Sequence, residues 1–309
     1  CIARAYADEV IKRGVPVDEF AGRLSYNFNI FGNIFEQVAK FRAGRSLWAK
    51  IMKEEYHAQQ PGSMWLRMIA GGGGGGLTLE QPENNIVRGA YYALLAALSG
   101  AQTMALCCYD EAYTIPSEYA QRISLRTMQL LVEEMGLAET VDPLGGSYYV
   151  ETLTNQMRAE MERIIAETDA AGGIVRLIAD GTIQSRVSAQ AYRMARSIES
   201  GAFPKVGVNR YRSDEEATRP VELHPYDGEA AQAQIAALAR TRRERDGTAV
   251  ERTLARVEAD AKSGANLMPA IVEAVKAYAT VGEITQRLVG VFGRYREPVR
   301  FDHREEQAA

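Results

Sequence analysis

Three cysteines in 309 residues, Cys1, Cys107 and Cys108, are too few and too badly spaced for a disulfide framework. Neighbouring cysteines rarely bridge each other, and no Cys-x-x-Cys occurs. The three histidines, His57, His224 and His303, lie far apart, so no zinc-type ligand spacing exists either. No stretch approaches the ~20 apolar residues that a membrane span needs, and no signal peptide opens the chain. The expectation is a cytoplasmic protein without a membrane partner. Basic residues are not in excess: 36 Lys and Arg stand against 40 Asp and Glu, a net charge of -4. That balance gives no nucleic-acid footprint, and any polyanionic ligand must be held by a few local arginines. Low complexity is confined to one glycine run, and there is no internal repeat. The chain also lacks an initial methionine: it begins at Cys1 and enters an amphipathic pattern at once, which reads as a cut inside a larger protein.

What remains is an ordinary globular composition, 46% hydrophobic and 25% charged, enough for one large domain or two smaller ones. Residues 2–14 read as a helix closed by Gly14. Residues 23–29 (RLSYNFN) alternate, with Leu24, Tyr26 and Phe28 on one face and Arg23, Ser25 and Asn27 on the other, which predicts a strand. A long helical pattern follows, then a strand over 63–70 ended by the glycines at 71–76. The order repeats: a helix over 83–98, a strand over 102–108, and a helix capped by Ser117 that runs to Gly136. Strand–helix alternation predicts a parallel sheet. Three such units are too few for a closed barrel of eight. From about residue 140 the character changes. DPLGGSYYVE reads as an ordered connector, followed by a helix striped with Leu153, Met157, Met161, Ile164 and Ile165. Helical segments then fall around 229–245, 249–262 and 268–292. The expected fold is α/β: the last three βα units of a (β/α)8 barrel over 1–140, then a connector and helical extension over 141–309.

Three places invite chemistry. Arg23, Ser25 and Asn27 give a polar face to a strand of a type usually apolar on both sides. Either an internal polar network or an edge position explains it, or a ligand threads the barrel with Arg23 meeting phosphate. Gly71–Gly76 follows a strand and satisfies GxGxxG as any polyglycine does, but the acidic residue of a dinucleotide fold and the GK[ST] of a Walker loop are both missing. It is a flexible loop, or bare backbone lying against a large planar ligand. Tyr109-Asp110-Glu111-Ala112 follows the third strand, where barrel active sites gather. It is a solvated acidic loop, or it carries a carboxylate that accepts hydrogen bonds from a ribose diol. No Ser/His/Asp, Cys/His or paired-carboxylate set can be assembled, so hydrolytic chemistry is not supported.

Taken together, AGRLSYNFNI, EQVAKFRAGRSLWAKIM, LTLEQPENNIVR, AQTMALCCYDEAYTIP, VDPLGGSYYVE, FPKVGVNRY and ATVGEITQRLVGVFGRY resemble the large catalytic subunits of methylmalonyl-CoA mutases, in order and spacing, along almost the whole chain. NNIVR, the DEA with its following proline, and DPLGGSYYVE are the most diagnostic. The resemblance implies adenosylcobalamin-dependent radical isomerisation of a branched acyl-CoA of the methylmalonyl-CoA/succinyl-CoA type, inside a barrel whose polar axis takes the CoA arm. It implies substrate-CoA contacts at Arg23, Leu24, Ser25, Asn27, Arg67 and Gln102. Cofactor contacts are implied at Gly71, Gly74, Gly75, Glu111 and Ala112, with Glu111 on the adenosyl ribose.

The same resemblance implies partners: the first half of the barrel, with its catalytic His and substrate-clamping Tyr and Arg, upstream of residue 1, and a cobalamin-binding domain or small subunit carrying the Asp-x-His-x-x-Gly motif, which this chain lacks. On that reading no catalytic residue lies on this chain, the isolated fragment is inactive, and the assembly is a dimer or heterodimer. The alternative is a non-catalytic partner subunit of such a mutase. Two departures stand out. Methylmalonyl-specific enzymes carry a His-x-Gln-Thr-Ser-Gly-Trp type segment where this chain has Ile69 to Gly75, and an aromatic residue where it has Asn27. Both point away from methylmalonyl-CoA itself.

Overall fold

Alternation of apolar and polar side chains sets the first of three short strands, the other two being mostly apolar or small, and helices cover one face of them. The computed structural model describes residues 1–213 and 223–298, so His303 lies outside the described residues. Contacts gather the chain into two compact units that part between His224 and Pro225. The first opens with α1 (Ile2–Lys12) and the short α2 (Val17–Phe20). Then come β1 (Tyr26–Asn29), α3 (Ile34–Glu54), β2 (Met68–Gly72), α4 (Asn84–Leu98), β3 (Thr103–Leu106) and α5 (Glu118–Glu133). The three strands are parallel, in the order β1-β2-β3. Tyr26 pairs with Met68, Asn27 with Ile69, and Ile69 with Thr103. The fold is therefore α/β, mostly helical, around a small parallel sheet.

The strands are shorter than the pattern predicts, for local reasons. Residues Ala21–Arg23 form a 3-10 turn, so Arg23 leads into β1 instead of lying on it. Pro61 opens another such turn through Met64, which delays β2 to Met68. At its other end β2 takes in Gly71 and Gly72, because ladder pairing uses only backbone groups. Asn33 caps α3 by accepting the N–H groups of Phe35 and Glu36 at 3.0 and 3.2 Å. Ser117 does the same for α5 through Ala120 N at 3.1 Å, as expected from sequence.

The sheet has two unlike faces. Tyr26, Phe28, Met68, Ala70, Met104 and Leu106 turn toward the helices and join or abut a core that includes Ile30, Phe41, Trp48, Met52 and Leu95. Tyr26 meets the edge of Trp48 at 5.4 Å between ring centroids, and Phe28 meets Phe41 at 5.7 Å. On α3 the buried Val38, Phe41, Trp48, Ile51 and Met52 recur at helical spacing, which lays one stripe on the sheet. The other face carries Asn27, Asn29, Ile69, Gly71, Thr103 and Ala105, all at least partly exposed.

Beyond the sheet, α6 (Tyr148–Ala170), α7 (Ile174–Ala179) and α8 (Thr182–Glu199) belong to the same unit. Helix α6 starts inside SYYVE, where the Ser147 side chain caps it. It runs along α3 and is fastened there by polar contacts. Arg42, with only 13% of its side chain exposed, holds Asp142 at 3.0 Å, Glu151 at 2.7 Å and Thr154 at 3.1 Å. Lys50 holds Glu162 at 3.0 Å, and Arg158 reaches Ser46 at 2.8 Å. These links carry the first unit well past residue 140, where the sequence alone suggests a division.

The second unit, Pro225–Glu297, contains α9 (Gly228–Glu244), α10 (Gly247–Ser263), α11 (Met268–Lys276) and α12 (Val281–Phe292). Val250, Leu254 and Val257 of α10 pack against Ala270, Ala274 and Ile284. The single helical segment expected over 268–292 is two helices. Tyr278 takes a left-handed φ of 64°, and Thr280 with Glu283 closes a capping box that starts a new helix. Arg245 bonds Tyr278 O at 2.8 Å and Glu283 at 2.5 Å, which fixes the break.

Candidate functional site

Parallel in-register strands sort the candidate residues by level. Arg23 and Ser25 precede β1, Arg67 precedes β2 and Gln102 precedes β3, so all four gather at the amino ends of the strands. Each is exposed. The Arg67 carbonyl accepts Tyr26 N at 2.9 Å, which locks the two lead-in segments together. Arg67 itself holds its guanidinium 5.8 Å from the centre of the exposed Trp65 ring. Gln102 Oε1 accepts Met68 N at 2.8 Å, leaving its amide hydrogens as donors. Leu24 is different: its side chain packs against the core. Midway up the open face Asn27, Ile69 and Thr103 stand in one row. These three strands bring no charge to that row.

The glycine run sits at the carboxyl ends and divides into two kinds of position. Gly72 is packed on the next strand: a Cβ there would lie 2.5 Å from Leu106 Cα and Cys107 N. Gly73 has a left-handed φ of +73°, and a Cβ would lie 2.6 Å from Ile30 O. A Cβ on Gly76 would collide with the Tyr92 hydroxyl. On Gly71 it would press on Asn27 Oδ1 at 3.3 Å. Backbone packing thus requires glycine at Gly72 and Gly73, whereas a side chain at Gly76 or Gly71 would have to displace Tyr92 or Asn27. Gly74 and Gly75 are exposed, have no left-handed φ, and would meet only Cys107 Sγ at 3.5 Å and the Phe31 ring at 3.8 Å. Among the described residues nothing forbids a side chain there, so the bare backbone of these two residues leaves room for something else.

Beside them lies the acidic loop. Glu111 is exposed, and one of its oxygens accepts Cys108 N at 2.7 Å. The Cys107 and Cys108 thiols also reach this carboxylate, which keeps it at the surface as an acceptor. Ala112 is exposed as well. Asp110 points elsewhere. It is 3% exposed and accepts Ser117 N at 2.9 Å, closing the loop on the start of α5. Cys107 lies between the two elements, in contact with the Glu111 carboxylate and the Gly74 N–H. Burial, with Glu111 adding to it, pushes the Cys107 thiol up, and Cys108 is pushed to about 12 by the same causes. Both thiols stay protonated at neutral pH.

A buried asparagine holds these loops in place, and the sequence alone does not reveal it. Asn85, 1% exposed, donates to Thr78 O and Tyr109 O at 2.8 Å and accepts Thr78 N at 3.1 Å. It thereby ties the segment after the glycines to the acidic loop. Arg88 bonds Asn85 Oδ1, Thr78 Oγ1 and Val206 O, each at 2.8 Å. Burial lowers the Arg88 pKa, yet the hydrogen bonds keep the guanidinium in use. The signal is present as NNIVR, a diagnostic string, but only the structure shows what these two side chains fasten.

The fold is an α/β one, with cationic and amide groups at the amino ends of a small parallel sheet and bare backbone beside a carboxylate at the carboxyl ends. The chain belongs to the methylmalonyl-CoA mutase family, whose model matches residues 1–294. It is 45% identical, over 94% of its length, to the 2-hydroxyisobutanoyl-CoA mutase large subunit of Aquincola tertiaricarbonis, of which it covers 52%. It is 41% identical to the methylmalonyl-CoA mutase of Cereibacter sphaeroides over 96% of the chain, and 37% identical to that of Escherichia coli over 95%, covering 42% and 41% of them. The chain thus spans about half the length of these relatives or less. No described helix is long and apolar enough to cross a membrane.

Proposed function

We propose that this chain forms the carboxyl-terminal part of the barrel in the catalytic subunit of an adenosylcobalamin-dependent acyl-CoA mutase. One observation carries the proposal: the two sets of candidate residues occupy opposite ends of one open sheet face. Arg23, Ser25, Arg67 and Gln102 at the amino ends suit a long, polyanionic CoA arm, with the arginines as phosphate partners. Glu111 and the bare backbone of Gly74 and Gly75 at the carboxyl ends suit an adenosyl ribose and a broad macrocycle. When bound, adenosylcobalamin supplies the radical hydrogen transfer that begins skeletal rearrangement. The residues of this chain bind, orient and exclude water. Glu111 takes ribose hydroxyls on its exposed carboxylate, Gln102 and Ser25 hold the pantetheine amides, and Asn27 faces the acyl end.

The acyl row also informs the substrate. Asn27, Ile69 and Thr103 offer an amide, an alkyl group and a hydroxyl. A neutral branched acyl-CoA, with room for a hydroxyl, fits this row best. The 45% identical relative is named for such an acyl group. A cobalamin-carrying domain or subunit and the other barrel strands complete the site.

The test is turnover by the full-length protein, supplied with adenosylcobalamin and its cobalamin-binding partner, on a panel of branched acyl-CoAs followed by mass spectrometry. Isomerisation of a neutral branched substrate is expected. Turnover of methylmalonyl-CoA alone would overturn the substrate assignment. Cobalamin binding without any turnover would favour a non-catalytic partner subunit.

A further inference from the structure

Phe31 stands in the loop that leaves β1, next to the two glycines that the fold does not require. Its position is well determined. Ile30, fully buried, donates to Gly71 O at 3.0 Å, Gly32 takes a left-handed φ of +92°, and Asn33 caps α3. Between these fixed points Phe31 is left 38% exposed. An ideal Cβ on Gly75 would lie 3.8 and 3.9 Å from Phe31 Cε1 and Cζ, with no other atom beyond its chain neighbours within 4 Å. So, among the described residues, the group that bounds the space at residue 75 is an apolar ring on a different loop. The exposed part of the ring is apolar surface that an apolar ligand face can cover.

We infer that Phe31 is a cofactor-positioning residue: its ring and the bare backbone of Gly74 and Gly75 form one apolar ledge for the flat macrocycle. The ring supplies, from the β1 loop, surface that residue 75 itself does not provide. A large aromatic side chain at 75 and the ring at 31 therefore compete for one volume. The inference rests on the mutase reading above.

The experiment is a titration of the full-length protein and its cobalamin-binding partner with adenosylcobalamin, read by absorbance, with thermal unfolding as a folding control. Phe31→Ala is expected to weaken cobalamin binding about tenfold, the low end of losing a buried aromatic contact. Phe31→Leu, which keeps bulk and protects the test should the alanine variant fail to fold, is expected to lose about threefold. Gly75→Trp alone weakens binding because the indole meets the ring. Combining it with Phe31→Gly restores affinity to within about threefold of wild type, a non-additivity diagnostic of a shared volume. A merely structural Phe31 would give no such rescue. Unchanged affinity in Phe31→Ala and Phe31→Leu, or a double variant no better than Gly75→Trp, overturns the inference while leaving the mutase reading intact. A wild-type protein that binds no cobalamin overturns both.

Discussion

The covered and open faces of the three-stranded sheet are built from the same residues read alternately, yet they answer to different demands. On the covered face Tyr26, Phe28, Met68 and Ala70 are chosen by shape, because they must fit Phe41, Trp48 and Met52. On the open face Asn27, Ile69 and Thr103 are free of that constraint, and under the proposed function they face the ligand. A strand of this kind therefore separates packing positions from exposed ones by its period of two.

The comparison breaks first, if it is wrong, at Phe41. Phe41→Ala empties a site 2% exposed at the centre of the covered side. It should cost about 4 kcal/mol in urea unfolding of the full protein. A loss of under about 1 kcal/mol would mean that the helices do not define the covered face. Next in size is Asn85→Ala, which removes the side chain that pairs Thr78 N, Thr78 O and Tyr109 O. About 3 kcal/mol is expected, together with weaker cobalamin binding, since both carboxyl-end loops lose their tie. Loss of stability with binding unchanged would separate the fastening from the site.

A smaller effect, confined to acid, belongs to the second unit, which has no sheet and so no such pair of faces. The Arg245 guanidinium, aided by the N–H and hydroxyl of Thr280, lowers the Glu283 carboxyl from 4.5 to about 2. A depressed folded-state pKa contributes stability that is whole above about pH 4.5 and disappears as the pH falls toward 2. Helical circular dichroism of the wild type should fall across that window, and Glu283→Gln should remove this component. Least visible in stability is Asn27→Ala on the open face. Unfolding should shift by less than about 0.5 kcal/mol while KM for the acyl-CoA rises several-fold. An equal effect on both would put Asn27 with the packing residues.

Much of this arrangement is legible in the sequence where side chains alternate or cap. The strand alternation of Leu24, Tyr26 and Phe28, the Ser117 cap and the order of three βα units all survive in the structure. Boundaries set by backbone geometry are less legible. Pro61 and the turn at Ala21–Arg23 shorten β2 and β1, and Gly71 and Gly72 extend β2 because pairing needs no side chain. The break at Tyr278 depends on Arg245, more than thirty residues away. For the site, the string NNIVR could be recognised, but not that Asn85 and Arg88 bind Thr78, Tyr109 and Val206, since these bonds cross loops. Nor does a uniform run of six glycines reveal which are fixed by Leu106, Ile30 and Tyr92, and which are left bare.

The in-register parallel pairing has a consequence for how this protein can change. Because Tyr26 is matched to Met68 and Ile69 to Thr103, residue number along each strand works as a depth gauge, at roughly 3.3 Å per step. From Arg67 to Gly72 the gauge spans five steps, or about 16 Å, and the same opening recurs on the neighbouring strands. One inserted residue within β2 would move the glycines out of step with Asn29 and Ala105 and turn Ile69 to the wrong side. Length variation must then fall on the helices and loops, and the distance between the two ends is the dimension that inheritance has to preserve.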